Sequence, residues 1–267
     1  MTNRLEVKLQ LLKSASKKAL VVYLTAGYPS ARETVKLAAL LEKSGADILE
    51  IGVPFSDPIA DGKTVQYASH LALENGMSLS KVFELVEKIR KNSDIPIVLM
   101  GYLNPFMRHG LKNSLARAGK SGVDGFIIPD VIPEESGEIR KICGELGLSL
   151  VLLASPNTPD KRLKVIDAAS RGFVYVVSVA GVTGARKQLP STTRAYLINT
   201  EKWIKKNPRI IGFGISGASQ VRKLKPYVDG VIVASALIEI IRKSGNLKAA
   251  RAGASSFIRS LRRALDN

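Results

Sequence analysis

Short apolar runs alternate with amphipathic stretches from one end of this chain to the other. Strand-like runs fall at 19–24, 47–52, 95–100, 125–129, 149–153, 173–178, 210–214 and 228–234. They are apolar almost throughout, the pattern of parallel strands covered on both faces. Between them the spacing predicts helices at 31–44, 79–92, 133–146, 159–170 and 217–224. In the first of these, Leu37, Leu40, Leu41 and Ser44 share one face while Arg32, Glu33, Lys36 and Lys43 fall elsewhere, which is the 3.6-residue period of a surface helix. Gly45, Gly119 or Gly122, and Gly147 stand just before the next strand, where helices end.

Eight such units predict an α/β fold, a single (β/α)8 barrel. The other arrangement considered is an open doubly wound sheet, but no G-x-G-x-x-G follows the first strand. The first 18 or so residues read as an extra N-terminal helix that plugs the bottom of the barrel. No linker or low-complexity block divides the sequence, so residues 1–267 are expected to form one domain.

Composition narrows the class. The chain has 267 residues, 45% hydrophobic and 24% charged, as in ordinary globular proteins. No apolar run approaches the roughly 20 residues of a membrane span, and the N-terminus lacks the apolar core of a signal peptide. Cys143 is the single cysteine, so no intrachain disulfide forms, and it reads as a small hydrophobe on a helix. A cytoplasmic location is expected. With only His70 and His109 and no Cys/His cluster, no transition-metal site is expected. The net charge of +17 raises nucleic-acid binding, but the cations are scattered and lack aromatic platforms. The densest stretch, 242–263, reads as one amphipathic helix with a solvated basic face, and no nucleic-acid partner is expected.

Barrel enzymes work at the C-terminal ends of their strands. There the run Asp47-Ile48-Leu49-Glu50-Ile51-Gly52-Val53-Pro54-Phe55-Ser56-Asp57-Pro58-Ile59-Ala60-Asp61-Gly62 stands out. Glu50 interrupts an apolar strand. A buried, unpaired carboxylate responds by a raised pKa, which suits general acid–base chemistry. A glutamate tied to a buried arginine or to backbone donors fits the strand context equally well. Asp61 lies in a loop stiffened by Pro54 and Pro58, and by itself reads as a turn or cap residue. Asp57 reads as a turn residue or as support for the site. At the other end of the chain, Gly212-Phe213-Gly214-Ile215-Ser216-Gly217 follows the seventh strand and Ala234-Ser235-Ala236 the eighth. Barrels hold phosphate there, on glycine amides and a helix N-terminus. Plain turn glycines are the alternative.

Leu-Thr-Ala-Gly-Tyr-Pro (24–29), the run from Gly45 to Gly62, Pro-Asp-Val-Ile-Pro-Glu-Glu-Ser (129–136), Gly-Val-Thr-Gly-Ala-Arg (181–186) and Gly-Phe-Gly-Ile-Ser (212–216) together resemble the tryptophan synthase alpha chain. They occur in that family's order over about residues 19–243. The resemblance implies retro-aldol cleavage of indole-3-glycerol phosphate, with Glu50 and Asp61 as the catalytic pair. An indole ring needs an apolar slot, for which Tyr23, Met100, Tyr102, Ile127, Pro129 and Tyr175 at or near strand C-termini are candidates; the resemblance places Tyr102 and Tyr175 at the pocket, Ile127 along its wall, and over it a lid at 180–190 whose Thr183 meets Asp61. It adds Gly184 to a phosphate cradle with Phe213, Gly214, Ala234 and Ser235. Ala234 departs from the glycine usual in the family, and its methyl is a potential obstacle to the phosphate. No cofactor is implied in this chain. Pyridoxal phosphate belongs to a beta subunit, the expected partner in an α2β2 assembly, which would dock on the 54–62 and 102–110 segments through Asn104-Pro105-Phe106-Met107. Two other readings within the resemblance are a standalone indole-glycerol-phosphate lyase and a non-catalytic activator of beta. Another phosphate-binding barrel, such as an isomerase, is disfavoured by the 45–62 run.

Overall fold

The computed structural model describes residues 3–177, 191–212 and 214–267. Eight parallel strands close into a barrel in sequence order: β1 (Ala19–Thr25), β2 (Ile48–Gly52), β3 (Ile97–Met100), β4 (Gly125–Ile127), β5 (Ser149–Ala154), β6 (Val174–Val177), β7 (Arg209–Gly212) and β8 (Gly230–Val233). Closure is made by β1, which pairs with β2 on one side and β8 on the other. The helices are α1 (Arg4–Ser14), α2 (Ala31–Lys43), α3 (Lys63–Glu74), α4 (Leu79–Arg90), α5 (Leu103–Arg108), α6 (Leu111–Ser121), α7 (Gly137–Glu145), α8 (Asp160–Ala169), α9 (Ser191–Trp203), α10 (Ala218–Leu224), α11 (Ser235–Lys243) and α12 (Leu247–Asp266). No helix among the described residues is long and apolar enough to cross a membrane.

The near-continuous apolar strands are explained by two cores. Outward residues such as Leu20, Val22, Leu49, Ile51 and Leu99 pack with the surrounding helices. Inward residues Val21, Ile48, Val98, Ile127, Val151, Tyr175, Ile210 and Ile232 fill the barrel, and Leu5, Leu9 and Leu12 of α1 join them. The expected plug is therefore present. Asn3 accepts from the Leu5 and Glu6 amides and donates to the Asp124 and Gly147 carbonyls at 2.8 and 2.9 Å. This caps α1 and ties it to the strand starts in one step. Past the end of α1, Ser16 takes φ 55, with Lys17 N–H on Leu12 O and Ser16 N–H on Lys13 O, the left-handed ending that glycine usually supplies.

Three expectations need correction. The basic stretch 242–263 is two helices, not one. The chain leaves α11 after Lys243, and the Asn246 side chain starts α12 by accepting the Ala249 amide at 2.9 Å. Its cations are not uniformly solvated: Arg251 pairs with the buried Glu33 at 2.7 Å and Arg262 with Asp47 at 2.9 Å. Phe106 is no surface anchor. It is fully buried and meets Phe126 edge to face at 5.6 Å. The helix expected from 133 begins only at Gly137, because Ser136 Oγ turns back onto the Pro133 carbonyl at 2.7 Å. Cys143 is buried and its thiol is pushed up to about 12 by that burial, in line with a small hydrophobe.

Candidate active site

Along β2, Ile48, Glu50 and Gly52 alternate with Leu49 and Ile51, and the Ile48 set faces the barrel interior. Glu50 lies in register between Tyr23 of β1 and Val98 of β3. It is 2% exposed, and its Oε2 has no hydrogen-bond partner among the described residues. Burial, then the charge of Asp61, pushes its pKa from 4.5 up to about 8. The alternative of a glutamate tied to arginine finds no support among the described residues, since no cation acts on that carboxyl.

Asp61 comes to the same place from the loop after β2. It is half-buried, and burial raises its pKa to about 6, opposed by a hydrogen bond from Tyr102. Tyr102 organises this loop: its oxygen accepts the Ala60 amide at 2.8 Å, and its ring lies 5.2 Å from that of Phe55. Burial pushes the Tyr102 hydroxyl up to about 12. Asp57 is exposed and bonded to Ser56, as a turn residue should be. Two carboxylates on one strand-loop unit thus differ in acidity. Near neutral pH the deeper one carries a proton and the shallower one a charge, an arrangement that can protonate a carbon while stabilising a developing cation.

Tyr23 and Tyr175 stand close to this pair, since both carboxylates help to raise their pKa values after burial does. Their rings occupy space that two glycines leave empty. A Cβ on Gly52 would lie 2.0 Å from Tyr23 Oη, and one on Gly212 would lie 2.0 Å from Tyr175 Oη. Neither glycine role was visible in the sequence, where Gly212 read as part of a phosphate loop. Ile127, 1% exposed, sits on the inner wall in register with Met100 and Val151.

At the phosphate end, Gly214 has φ +80, a backbone that favours glycine, and Gln220 accepts the Ser216 amide at 2.6 Å. Ser235 is the first residue of α11, with Ala234 before it at φ −129, outside the left-handed region. The Ala234 methyl packs against the apolar core, so the departure is accommodated in the fold. Thr183, Gly184 and Phe213, with the 180–190 segment expected to form a lid, lie outside the described residues.

Comparison with known proteins identifies the family. The family model for the tryptophan synthase alpha chain matches residues 9–264. The chain is 45% identical to the tryptophan synthase alpha chain of Roseiflexus sp. (strain RS-1) over 94% of its own length and 96% of the relative's. It is 48% identical to that of Pyrococcus abyssi over 85% and 91%. Among solved structures, the tryptophan synthase subunit alpha from Legionella pneumophila str. Paris superposes with a TM-score of 0.92 at 35% identity, covering 100% of both chains. A chain of the tryptophan synthase α2β2 complex from Pyrococcus furiosus, described for its mutual activation, gives 0.85 at 43% identity over 92% of this chain and 98% of that one. The chain belongs to the tryptophan synthase alpha chain family.

Proposed function

We propose that Glu50 and Asp61 are the catalytic carboxylates with which this member of the family cleaves indole-3-glycerol phosphate to indole and glyceraldehyde 3-phosphate. The observation that carries the assignment is a buried carboxylate with an unpartnered oxygen, beside a second carboxylate of different acidity. Protonated Glu50 gives its proton to indole C3. The bond from C3 to the side chain then breaks, its electrons return to the ring, and the adjacent hydroxyl loses its proton to Glu50 as it becomes the aldehyde carbonyl. Ionised Asp61 accepts from the indole N–H and stabilises the positive charge on the ring in between. No atom is added from solvent, and the chain's own residues need no cofactor for this sequence.

Tyr23, Tyr102, Ile127, Tyr175 and Thr183 are read as the substrate pocket. Gly184, Phe213, Gly214, Ala234 and Ser235 are read as the phosphate cradle, at the N-terminus of α11 where backbone amides and the helix dipole favour an anion. The whole 267-residue chain is read as one cytoplasmic domain. A tryptophan synthase beta subunit, which would carry the pyridoxal phosphate, is the proposed partner in an α2β2 assembly, by analogy with the Pyrococcus furiosus complex. In support, exposed Ile59, Met107 and Ile132 stand on the segments after β2, β3 and β4, at 85%, 58% and 43% exposure. The deciding experiment is steady-state cleavage of indole-3-glycerol phosphate by wild type, Glu50→Gln and Asp61→Asn, alone and with beta. Loss of a general acid–base group typically costs about 10²–10⁴-fold. Retention of more than about a tenth of wild-type turnover by Glu50→Gln removes it from the mechanism. A beta subunit that neither binds nor changes the rate leaves a standalone lyase.

A further inference from the structure

Tyr23 stands opposite Glu50 in the β1–β2 register, and the two side chains are 3% and 2% exposed. Its ring leans across the inner face of β2 so that its hydroxyl lies over Gly52, one inward position nearer the mouth of the barrel than Glu50. The hydroxyl oxygen accepts from Thr25 Oγ1 at 3.3 Å. That bond uses a lone pair and leaves the phenol proton to be donated. Burial, then Asp61, keep the Tyr23 hydroxyl well above its ordinary pKa, so it is a neutral donor at every working pH. Glu50 Oε2 meanwhile accepts from no described residue.

The remaining neighbours sharpen the assignment. Asp61 faces Glu50 from the loop after β2 and Tyr175 from β6, while Tyr102, after β3, acts on Asp61 and Tyr23. The inward residues Val98 and Met100 of β3, Ile127 of β4 and Ile232 of β8 bring no titratable group. Once Glu50 has given up its proton, a carboxylate is left in a buried place with Asp61 beside it, which is costly unless something donates to it. A lysine or arginine there would hold Glu50 ionised before the reaction and remove the acid. A phenol stabilises the anion by one hydrogen bond and leaves the resting acid intact.

We propose that Tyr23 is a positioning residue for Glu50: when that carboxyl ionises, the Tyr23 hydroxyl donates its proton in a hydrogen bond to it and fixes its orientation, with Thr25 polarising the phenol from behind. The assignment rests on Glu50 as the acid–base group. It makes Gly52 part of the same device, because any side chain there would occupy the place of the hydroxyl.

Infrared titration of the carboxyl stretch in the ligand-free protein, with Glu50→Gln used to identify the Glu50 band, reads the interaction directly. Tyr23→Phe should raise the Glu50 midpoint by about one pH unit, the typical worth of a hydrogen bond to a charged group. Thr25→Val should raise it in the same direction by less, since a polarised donor is the stronger one. The basic limb of kcat/KM should move with the midpoint while KM stays within about threefold, as for a contact that acts on the chemical step. An unmoved midpoint in Tyr23→Phe, or a rate lowered evenly at every pH, overturns the proposal. If Glu50→Gln keeps its activity, the catalytic role of Glu50 falls, and the infrared midpoint still decides whether Tyr23 holds that carboxyl.

Discussion

Replacing Glu50 by glutamine should abolish cleavage and, in alkaline solution, make the protein more stable. A carboxyl whose pKa rises from 4.5 in the unfolded chain to about 8 in the barrel binds protons more tightly when folded. Stability therefore falls as pH climbs between those two values, the reverse of a salt-bridged carboxylate. At pH 5 the loss has only begun, because the unfolded group has just passed its midpoint. At pH 9 both forms are ionised and the loss is complete, each pH unit between the two pKa values counting about 1.4 kcal/mol. The destabilisation from Glu50 should thus grow by about 4 kcal/mol between pH 5 and pH 9. Any constant difference between a glutamate and a glutamine in this pocket cancels when the two pH values are compared. Urea denaturation of wild type and Glu50→Gln at both pH values measures it. A gap between the two proteins that does not widen toward pH 9 would mean Glu50 is not held protonated by burial, and the acid assigned to it would be lost.

Further outcomes follow from the same geometry. The competent state has Glu50 protonated and Asp61 ionised, so kcat/KM should be bell-shaped, falling below about 6 and above about 8, about tenfold down two units either side of the optimum; Asp61→Asn should erase the acid limb of whatever activity remains. Ser16→Gly should stabilise the protein by about 1 kcal/mol in thermal or urea unfolding, because Ser16 sits at φ 55 where a side chain is strained. Met107→Asp, at an exposed position, should weaken beta-subunit binding about tenfold or more by calorimetry with the isolated rate unchanged. Phe106→Ala should instead destabilise the barrel itself by about 3–5 kcal/mol.

The eight strands were legible because parallel strands buried on both faces cannot be anything but apolar. Their ends were less so: the run 125–129 pairs only over Gly125–Ile127, since the backbone then turns, with Val131 N–H on Ile128 O. The helix break at 244–246 was missed because the apolar period carries across it, although Gly245 and Asn246 are the residues that end one helix and cap the next. Phe106 misled for another reason. A residue in a segment on the catalytic face need not point outward, and α5 turns this ring down onto Phe126. Glu50 was visible as a lone charge in an apolar strand. Asp61 was not distinguishable from a turn residue without the family resemblance. The roles of Gly52 and Gly212 could not be read, because each depends on a tyrosine leaning across from the neighbouring strand.

The two ends of the barrel treat the same residue type in opposite ways, and that contrast points to where the chemistry lies. At the bottom, three aspartates just before strands each accept an amide from the first or second residue of a neighbouring strand: Asp47 from Leu20 at 2.9 Å, Asp124 from Ile97 at 2.9 Å and Asp229 from Arg209 at 2.8 Å. Each also has a cation: Arg262 at 2.9 Å, Arg90 at 2.7 Å and Arg209 at 3.5 Å. Each aspartate is committed to a strand amide and a cation, and breaking such a pair where it is buried, as at Asp124, costs about 3–5 kcal/mol. Their oxygens are occupied in aligning strands. At the top, Glu50 and Asp61 are desolvated without a compensating cation among the described residues, so their acidity drifts into the range where a proton can be exchanged. Supplying an arginine there would stabilise the fold by the logic used at the bottom and remove the acid by the same logic. The instability of Glu50 is therefore not a defect left in the barrel but the condition under which a carboxyl in it can work as an acid.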